Sequence, residues 1–415
     1  MRAIPDSADP ATSAGAVLTH AILHKPRIAV ISPFLDMRHG TERAMIECIS
    51  RLAGDYEFHI YSNRVEDLDF ASVVWHRVPS LPGPHLFSYL WWFFANTFWR
   101  WRDRRFRRLT PEVVFSAGIN CLDADAIMVH IVFSEFFRLA KDELRLRGLP
   151  LRSWPRAIHR KLYYRLIIAF ERRVYPNPRV RLAAVSQFAA GQLARCFGRQ
   201  DVAAIPYGLD HSLFDPAARL ARRAAERSKL GFSDGDFVLL LIGNDWKKKG
   251  LRYLLEAAAL SGDSSLRILI AGSDDQRPYR LLAESLKIAD RLRFCEVSPD
   301  VLQYYAAADA YIGPSIEDSF GLPTAEAMAC GLPVVTSRNT GVSGFVTHEK
   351  DGYVLEDPTD TKALAAILRA LSNDSDLRRR IGEAAVTASQ VLTWENNAVA
   401  IRDWLEQARQ RRPHE

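Results

Sequence analysis

Three stretches of the chain set charged side chains beside glycines and a fourth place holds a lone histidine, each just after an apolar run. The first is residues 313–331, GPSIEDSFGLPTAEAMACG. Glu317, Asp318 and Ser319 form a loop, and Phe320, Gly321 and Leu322 lead to Pro323, which suits the first turn of a helix that Gly331 ends. Backbone N–H groups at that helix start make an anion site, and Gly321 lets a phosphate approach closely. Asp318 and Glu326, eight residues apart, can accept hydrogen bonds from the hydroxyls of a sugar or ribose. The second stretch is residues 243–250, GNDWKKKG, where Lys247, Lys248 and Lys249 could neutralise a diphosphate. The third is residues 38–42, RHGTE, with a tight turn at Gly40 followed by Thr41. The fourth is His130, at the end of an apolar run. A capped helix, a solvated lysine loop and a structural histidine are the ordinary readings of the same residues.

Such loops act only if a scaffold presents them together. Apolar runs at 27–32, 57–61, 113–116, 127–130 and 182–185 alternate with helical periodicity at 44–52, 156–175 and from Gln187. After Pro206, Gly208 and Pro216 comes an Arg-rich helix at 217–229, and then a second alternation. Its strands are expected at 237–242, 266–270, 292–295, 310–313 and 333–336, and its helices at 252–260, 279–289, 300–307 and 323–329. The fold class expected is α/β: two doubly wound Rossmann-like domains facing a cleft, with the last helix, 394–409, packing back on the first. The boundaries read as a loose leader at 1–25, a first domain at 26–205, a linker at 206–232, a second domain at 233–390 and a returning C-terminal segment at 391–415. In such sheets ligands bind at the carboxyl ends of the strands, where all four stretches fall.

Composition narrows the function. The chain has 415 residues, 48% hydrophobic and 25% charged, which fits two globular domains. Its five cysteines are scattered, without a CxxC pair, so a disulfide scaffold or structural zinc site is not expected. No uncharged apolar run reaches about 18 residues. There is no Walker motif and no GxGxxG, which disfavours a nicotinamide dehydrogenase. Asp67-Leu68-Asp69 and Asp123-Ala124-Asp125 spell DxD, a spacing that can hold a divalent cation but recurs by chance. Of the formal net charge of +6, the excess lies in residues 101–200, with 20 basic against 8 acidic side chains. Residues 85–108, from His85 to Arg108, read HLFSYLWWFFANTFWRWRDRRFRR, an aromatic helix running into arginines. That composition suits an anionic membrane surface. A core-packed amphipathic helix is the alternative, and no nucleic-acid module accompanies it.

Taken together, the loops resemble those of the family 4 glycosyltransferases, retaining enzymes of two-Rossmann (GT-B) architecture. The resemblance covers roughly residues 26–410 and is strongest at 318–337, DSFGLPTAEAMACGLPVVTS. Supporting matches are HGTERAMIECISRLA, AAVSQFAAGQLARCFG, IPYGLDHSLFDP, GNDWKKKGLRYLLEAAA and DVLQYYAAAD. It implies that the first domain holds the acceptor and the second a nucleotide diphosphate sugar, UDP- or GDP-linked. Gly40 would lie at the donor phosphates, Lys249 on the diphosphate, Asp318 with Gly321 and Leu322 at the transferred sugar, Glu326 on the ribose, Val297 and Ser298 at the base, and His130 near the reacting sugar. Three departures stand out. Asp318 replaces the usual Glu, which leaves Glu317 as a competing acid. Asn244 replaces the usual Arg, with Lys247 or Lys248 as compensation. Tyr207 replaces the usual Asn. The resemblance implies an enzyme that moves a hexose to a glycan or lipid-linked acceptor, with no metal or other cofactor; the scattered cysteines and a leader unlike a signal peptide suit the cytoplasm, and the Trp- and Arg-rich segment suits peripheral membrane contact in surface polysaccharide or glycolipid synthesis. An epimerase of the same architecture, or a non-catalytic sugar- or lipid-binding relative, is the alternative.

Overall fold

The structure, a computed structural model, describes residues 25–37, 40–140 and 151–411. The leader up to residue 24, and Arg38 and His39 of the third stretch, lie outside the described residues. Nine strands belong to the first half: β1 (Arg27–Ile31), β2 (Phe34–Leu35), β3 (Glu57–Ser62), β4 (Arg64–Val65), β5 (Val73–Arg77), β6 (Val113–Ala117), β7 (Ala126–Val129), β8 (Arg181–Ala184) and β9 (Ala203–Ala204). Seven form one sheet in the order β5-β3-β1-β6-β7-β8-β9, and β2 pairs with β4. Every named pairing is parallel, so the strands need crossover helices and bury both faces. VVFSA of β6 shows the consequence: all five residues are buried.

The helices of this half are α1 (Gly40–Leu52), α2 (His85–Arg107), α3 (Phe133–Ala140), α4 (Trp154–Val174) and α5 (Gln187–Phe197). α1 buries Ala44, Met45, Cys48, Ile49 and Leu52 at helical spacing. The chain then passes through α6 (Pro216–Leu230) into β10 (Phe237–Ile242), α7 (Leu251–Ser261), β11 (Leu266–Ala271), α8 (Arg277–Ser285), β12 (Leu292–Cys295), α9 (Leu302–Ala307), β13 (Ala310–Gly313), α10 (Leu322–Ala329), β14 (Val334–Ser337), β15 (Tyr353–Leu355), α11 (Thr361–Asn373), α12 (Ser375–Ser389) and α13 (Trp394–Gln410). The second sheet runs β12-β11-β10-β13-β14-β15, again all parallel.

Three expectations need correction. The Arg-rich helix read as part of a linker is bound into the second half. On α6, Arg219 donates to the Cys330 carbonyl, Arg223 to the Ala308 carbonyl and Arg227 to the Ala307 carbonyl, and both Arg223 and Arg227 pair with Asp309. The elements read from the sequence are incomplete: residues 337–393, for which none was named, hold β15, α11 and α12, and β5 lies outside the strands named in the first half. Helix 279–289 ends at Ser285, and residues 289–291 form a separate 3₁₀ turn. The last helix does return: Tyr56 donates to Glu406 on α13, and the Trp404 ring meets Phe115 of β6 edge-on.

Candidate functional site

In the second half, each site loop is fixed by close backbone approach. Where β10 ends, a Cβ on Gly272 would lie 2.3 Å from the Gly243 carbonyl oxygen, so the loops after β10 and β11 touch. Asn244 completes that tie, its Oδ1 accepting from Ser273 N at 2.9 Å and Oγ at 3.1 Å. Its carbonyl is therefore spent on the neighbouring loop. Gly250 starts α7 at φ +76°, and a Cβ there would lie 2.0 Å from the Pro314 carbonyl oxygen. Gly321 starts α10 at φ +87°, where a Cβ would meet Thr340 Cγ2 at 2.5 Å. These contacts hold the β10–α7 loop against the β13–α10 loop, and Lys248 O also accepts from Ile316 N at 2.7 Å.

That placement brings Lys249 Nζ to 2.5 Å from Asp318 Oδ2. Burial opposes the ammonium charge, but Asp318, with Tyr311 and Asp245 adding to it, holds the lysine above its ordinary value. Asp318 Oδ1 accepts from Phe320 N at 3.3 Å. The rival acid, Glu317, turns to the first half and accepts from Gln192 of α5 at 3.0 Å, with burial pushing its carboxyl up. The structure thus pairs Asp318, not Glu317, with the lysine. Lys248 places Nζ 3.2 Å from the centre of the Phe136 ring on α3. Thr324 N–H, expected to face an anion, is turned back on Gly321 O at 3.0 Å.

Glu326 lies on α10, buried, with its Oε2 accepting from Tyr305 at 2.7 Å and its Oε1 3.7 Å from Arg43 of α1. Burial pushes its carboxyl up to about 7, against the pull of Tyr305 and Arg43. Val297 is exposed, and Ser298 Oγ accepts from Gln303 at 2.7 Å and from Asp300 N at 3.2 Å.

The first half closes over these loops. Ser186, which caps α5 by accepting from Ala189 N, donates to the Ser319 carbonyl at 2.6 Å. Gly40 opens α1 with nothing within 4 Å of where its Cβ would be, so its side faces open space. Thr41 and His130 line a cavity of about 400 Å³ with Glu42, Tyr89, Trp92 and Phe133. His130 is buried, with Nδ1 2.5 Å from Tyr207 Oη, and burial pushes its pKa down to about 3. The loops after β1, β7, β8, β10 and β13 therefore meet at one place. The DxD spacings lie elsewhere: both oxygens of Asp123 take Arg100 at 2.7 Å, Asp125 accepts from Val114 N, Asp67 from Met37 N and Asp69 from Ala71 N. Among the described residues no group of three or more His, Cys, Asp or Glu is placed to hold a metal ion.

Sequence reasoning missed Arg43, Ser186, Gln192 and Tyr305 as site residues, although all lie inside the quoted segments. Nothing in their local spacing reports contacts made across 21 to 283 positions.

This arrangement, two Rossmann-like domains meeting at their strand ends, is the GT-B class of glycosyltransferase folds. Residues 222–387 match the family described as glycosyl transferases group 1. The chain is 35% identical over 253 residues to D-inositol 3-phosphate glycosyltransferase of Thermomonospora curvata, covering 53% of this chain and 58% of the relative. For the Thermobifida fusca protein of the same name the values are 33% over 251 residues, 55% and 56%, so the chain spans little more than half the length of these relatives. Among solved structures, WaaG, a glycosyltransferase involved in lipopolysaccharide biosynthesis, superposes with TM-score 0.72 at 19% identity, over 91% of this chain and 98% of that one. Anabaena HepE in complex with UDP and glucose gives TM-score 0.66 at 18% identity, over 92% of this chain and all of that one. At these identities the two structures speak to the fold.

Proposed function

We propose that the protein transfers a hexose from a nucleotide diphosphate sugar to an acceptor hydroxyl, with retention at the anomeric carbon. The observation that carries this reading is the Lys249–Asp318 pair, whose acid lies three residues before Gly321 at the start of α10. The slow event is departure of the nucleotide diphosphate, which gains negative charge as the bond to the sugar breaks. An ammonium group has three donors, so Lys249 can keep Asp318 and still reach a phosphate. With the amides opening α1 and α10 it forms a fixed electrostatic cradle for that charge, in the role a metal ion would otherwise fill. Asp318 then accepts from hydroxyls of the sugar and Glu326 from those of the ribose. No carboxylate stands out as a nucleophile in this scheme, so the leaving phosphate takes the acceptor proton on the same face.

The acceptor, a glycan or a lipid-linked sugar, would occupy the cavity beside His130. Its outer wall is α2, whose Tyr89 and Trp92 point inward while Phe87, Leu90, Phe94, Phe98 and Trp101 are exposed along the other side. Arg104, Arg105 and Arg107 follow in the last turn. No helix among the described residues is long and apolar enough to cross a membrane. An exposed aromatic stripe ending in arginines supports peripheral contact with an anionic cytoplasmic surface. A thermal-shift screen of UDP, GDP and ADP with their sugars tests the donor, because bound ligand raises the melting temperature by mass action. Sugar release without any acceptor dependence would favour an epimerase instead, and no shift with any nucleotide would favour a non-catalytic relative.

A further inference from the structure

Tyr207 stands where the chain leaves the first sheet. At the next residue, Gly208, the outgoing strand crosses the returning one so closely that a Cβ would lie 2.2 Å from Trp394 N. The Tyr207 ring is buried there, stacked beside His130 with centroids 5.8 Å apart and edge-on to Phe320 of the acid loop at 5.1 Å. Its hydroxyl sits 2.5 Å from His130 Nδ1, with the Thr41 side chain nearby. A short chain therefore runs from Tyr207 to His130, with Thr41 near its start.

The direction of that chain decides what His130 can do. His130 is buried and makes no ion pair, so its ring is neutral, and only one of its nitrogens carries a proton. A phenol O–H is a stronger donor than a neutral imidazole N–H, and a bare imidazole nitrogen is a stronger acceptor than a phenol oxygen. The Tyr207 hydroxyl therefore donates to Nδ1. The ring proton is left on Nε2, which is buried and has no partner among the described residues, although His130 lines the cavity. A buried N–H without an acceptor is costly; His130 also lines a small pocket with Asn397, whose Oδ1 is likewise buried and unpartnered, and the sugar is the acceptor assigned to Nε2 on the glycosyltransferase reading.

We propose that Tyr207 is a positioning residue: with Thr41 behind it, it locks His130 as the Nε2–H tautomer, so that His130 donates to a hydroxyl oxygen of the bound sugar and cannot be the base that takes the acceptor's proton. The role of His130 at the sugar rests on the glycosyltransferase reading; the tautomer does not. Because Tyr207 also touches Phe320, the lock is tied to the loop carrying Asp318.

The test is nitrogen NMR of the full chain labelled in its histidines, with the His130 signals assigned by their loss in His130→Gln. The expected result is a protonated, pyrrole-type Nε2 and a bare, pyridine-type Nδ1, becoming a mixture in Tyr207→Phe. A bare Nε2 in the unaltered protein overturns the proposal. Kinetics give a second readout. The Gln amide N–H lies where Nε2–H lay, so His130→Gln should keep most of the kcat that His130→Ala loses, a loss of about tenfold or more. Tyr207→Phe should lower kcat with donor KM little changed, and should cost less than about twofold more in the His130→Gln background. A Gln variant as inactive as the Ala variant would overturn the donor role. Should the NMR show Nε2–H while no nucleotide sugar is turned over, the lock stands and the transferase reading fails.

Discussion

The two walls of the cleft are built on different principles. The second-domain wall is rigid: Gly250, Gly272 and Gly321 are required because backbone or methyl groups lie 2.0 to 2.5 Å from where a side chain would begin. Its charges are paired before any ligand arrives, Lys249 with Asp318 and Glu326 with Tyr305. The first-domain wall is roomy: Gly40 faces open space, and the cavity beside His130 is walled largely by aromatic and aliphatic side chains. A leaving diphosphate is stabilised only by groups already in place, because reorganising them would consume the gain. An acceptor needs shape and one reachable hydroxyl. Under the proposed transfer, rigidity on one side and space on the other answer those two demands.

Charge on the rigid wall should matter most. Lys249→Ala removes the cation and strands Asp318, and kcat/KM should fall by about 10²–10³ or more, the size of losing one preorganised donor. Activity near the unaltered level would break the comparison. Glycine replacement separates the walls next. Gly250→Ala forces a Cβ into a carbonyl at positive φ and should lower stability by about 2 kcal/mol or more, seen as a clear drop in Tm. Gly40→Ala should leave Tm nearly unchanged and weaken donor binding, since the space it fills is the ligand's.

The pH dependence comes next in size. Glu326 titrates near 7, above the ordinary carboxylate range, because it is buried. A raised carboxyl contributes stability at low pH that is lost as pH rises through about 7. A ribose bound through its hydroxyl protons needs the ionised form, so the rise in Tm caused by donor should grow from pH 6 to pH 8. Glu326→Gln should flatten that trend, and an unchanged slope would remove Glu326 from the ribose site. The smallest effect on the fold belongs to α2. Phe94→Glu with Phe98→Glu should abolish flotation with anionic vesicles while shifting stability by only about 0.5 kcal/mol per site, because both rings are exposed. Equal flotation by the double variant would contradict membrane contact through this face.

Much of the rigid wall was legible in the sequence, because its logic is local. A strand, a glycine turn and a helix start occupy one short segment in both GNDWKKKG and DSFGLPTAEAMACG, and helix-start chemistry follows from that order. The looser parts were harder to read. β5 was passed over because VVWHR lacks a long apolar run, its second and fifth residues being exposed. α11 and α12 were overlooked although Leu364, Ala365, Leu368 and Leu371 recur at helical spacing. Contacts such as Arg43 with Glu326, or Tyr207 with His130, join residues far apart in the chain, and no local pattern encodes them. Asn244, which carries one charge fewer than the usual Arg at the expected diphosphate site, also holds the loop after β11 through its side-chain carbonyl, a tie that no local pattern encodes.

The most direct measurement is a crystal structure with the intact nucleotide sugar bound. The account predicts the diphosphate within hydrogen-bond reach of Lys249 Nζ and the start of α10, with the ribose on Glu326. A diphosphate lying away from Lys249, or held through a divalent cation at Asp123 and Asp125, would contradict it.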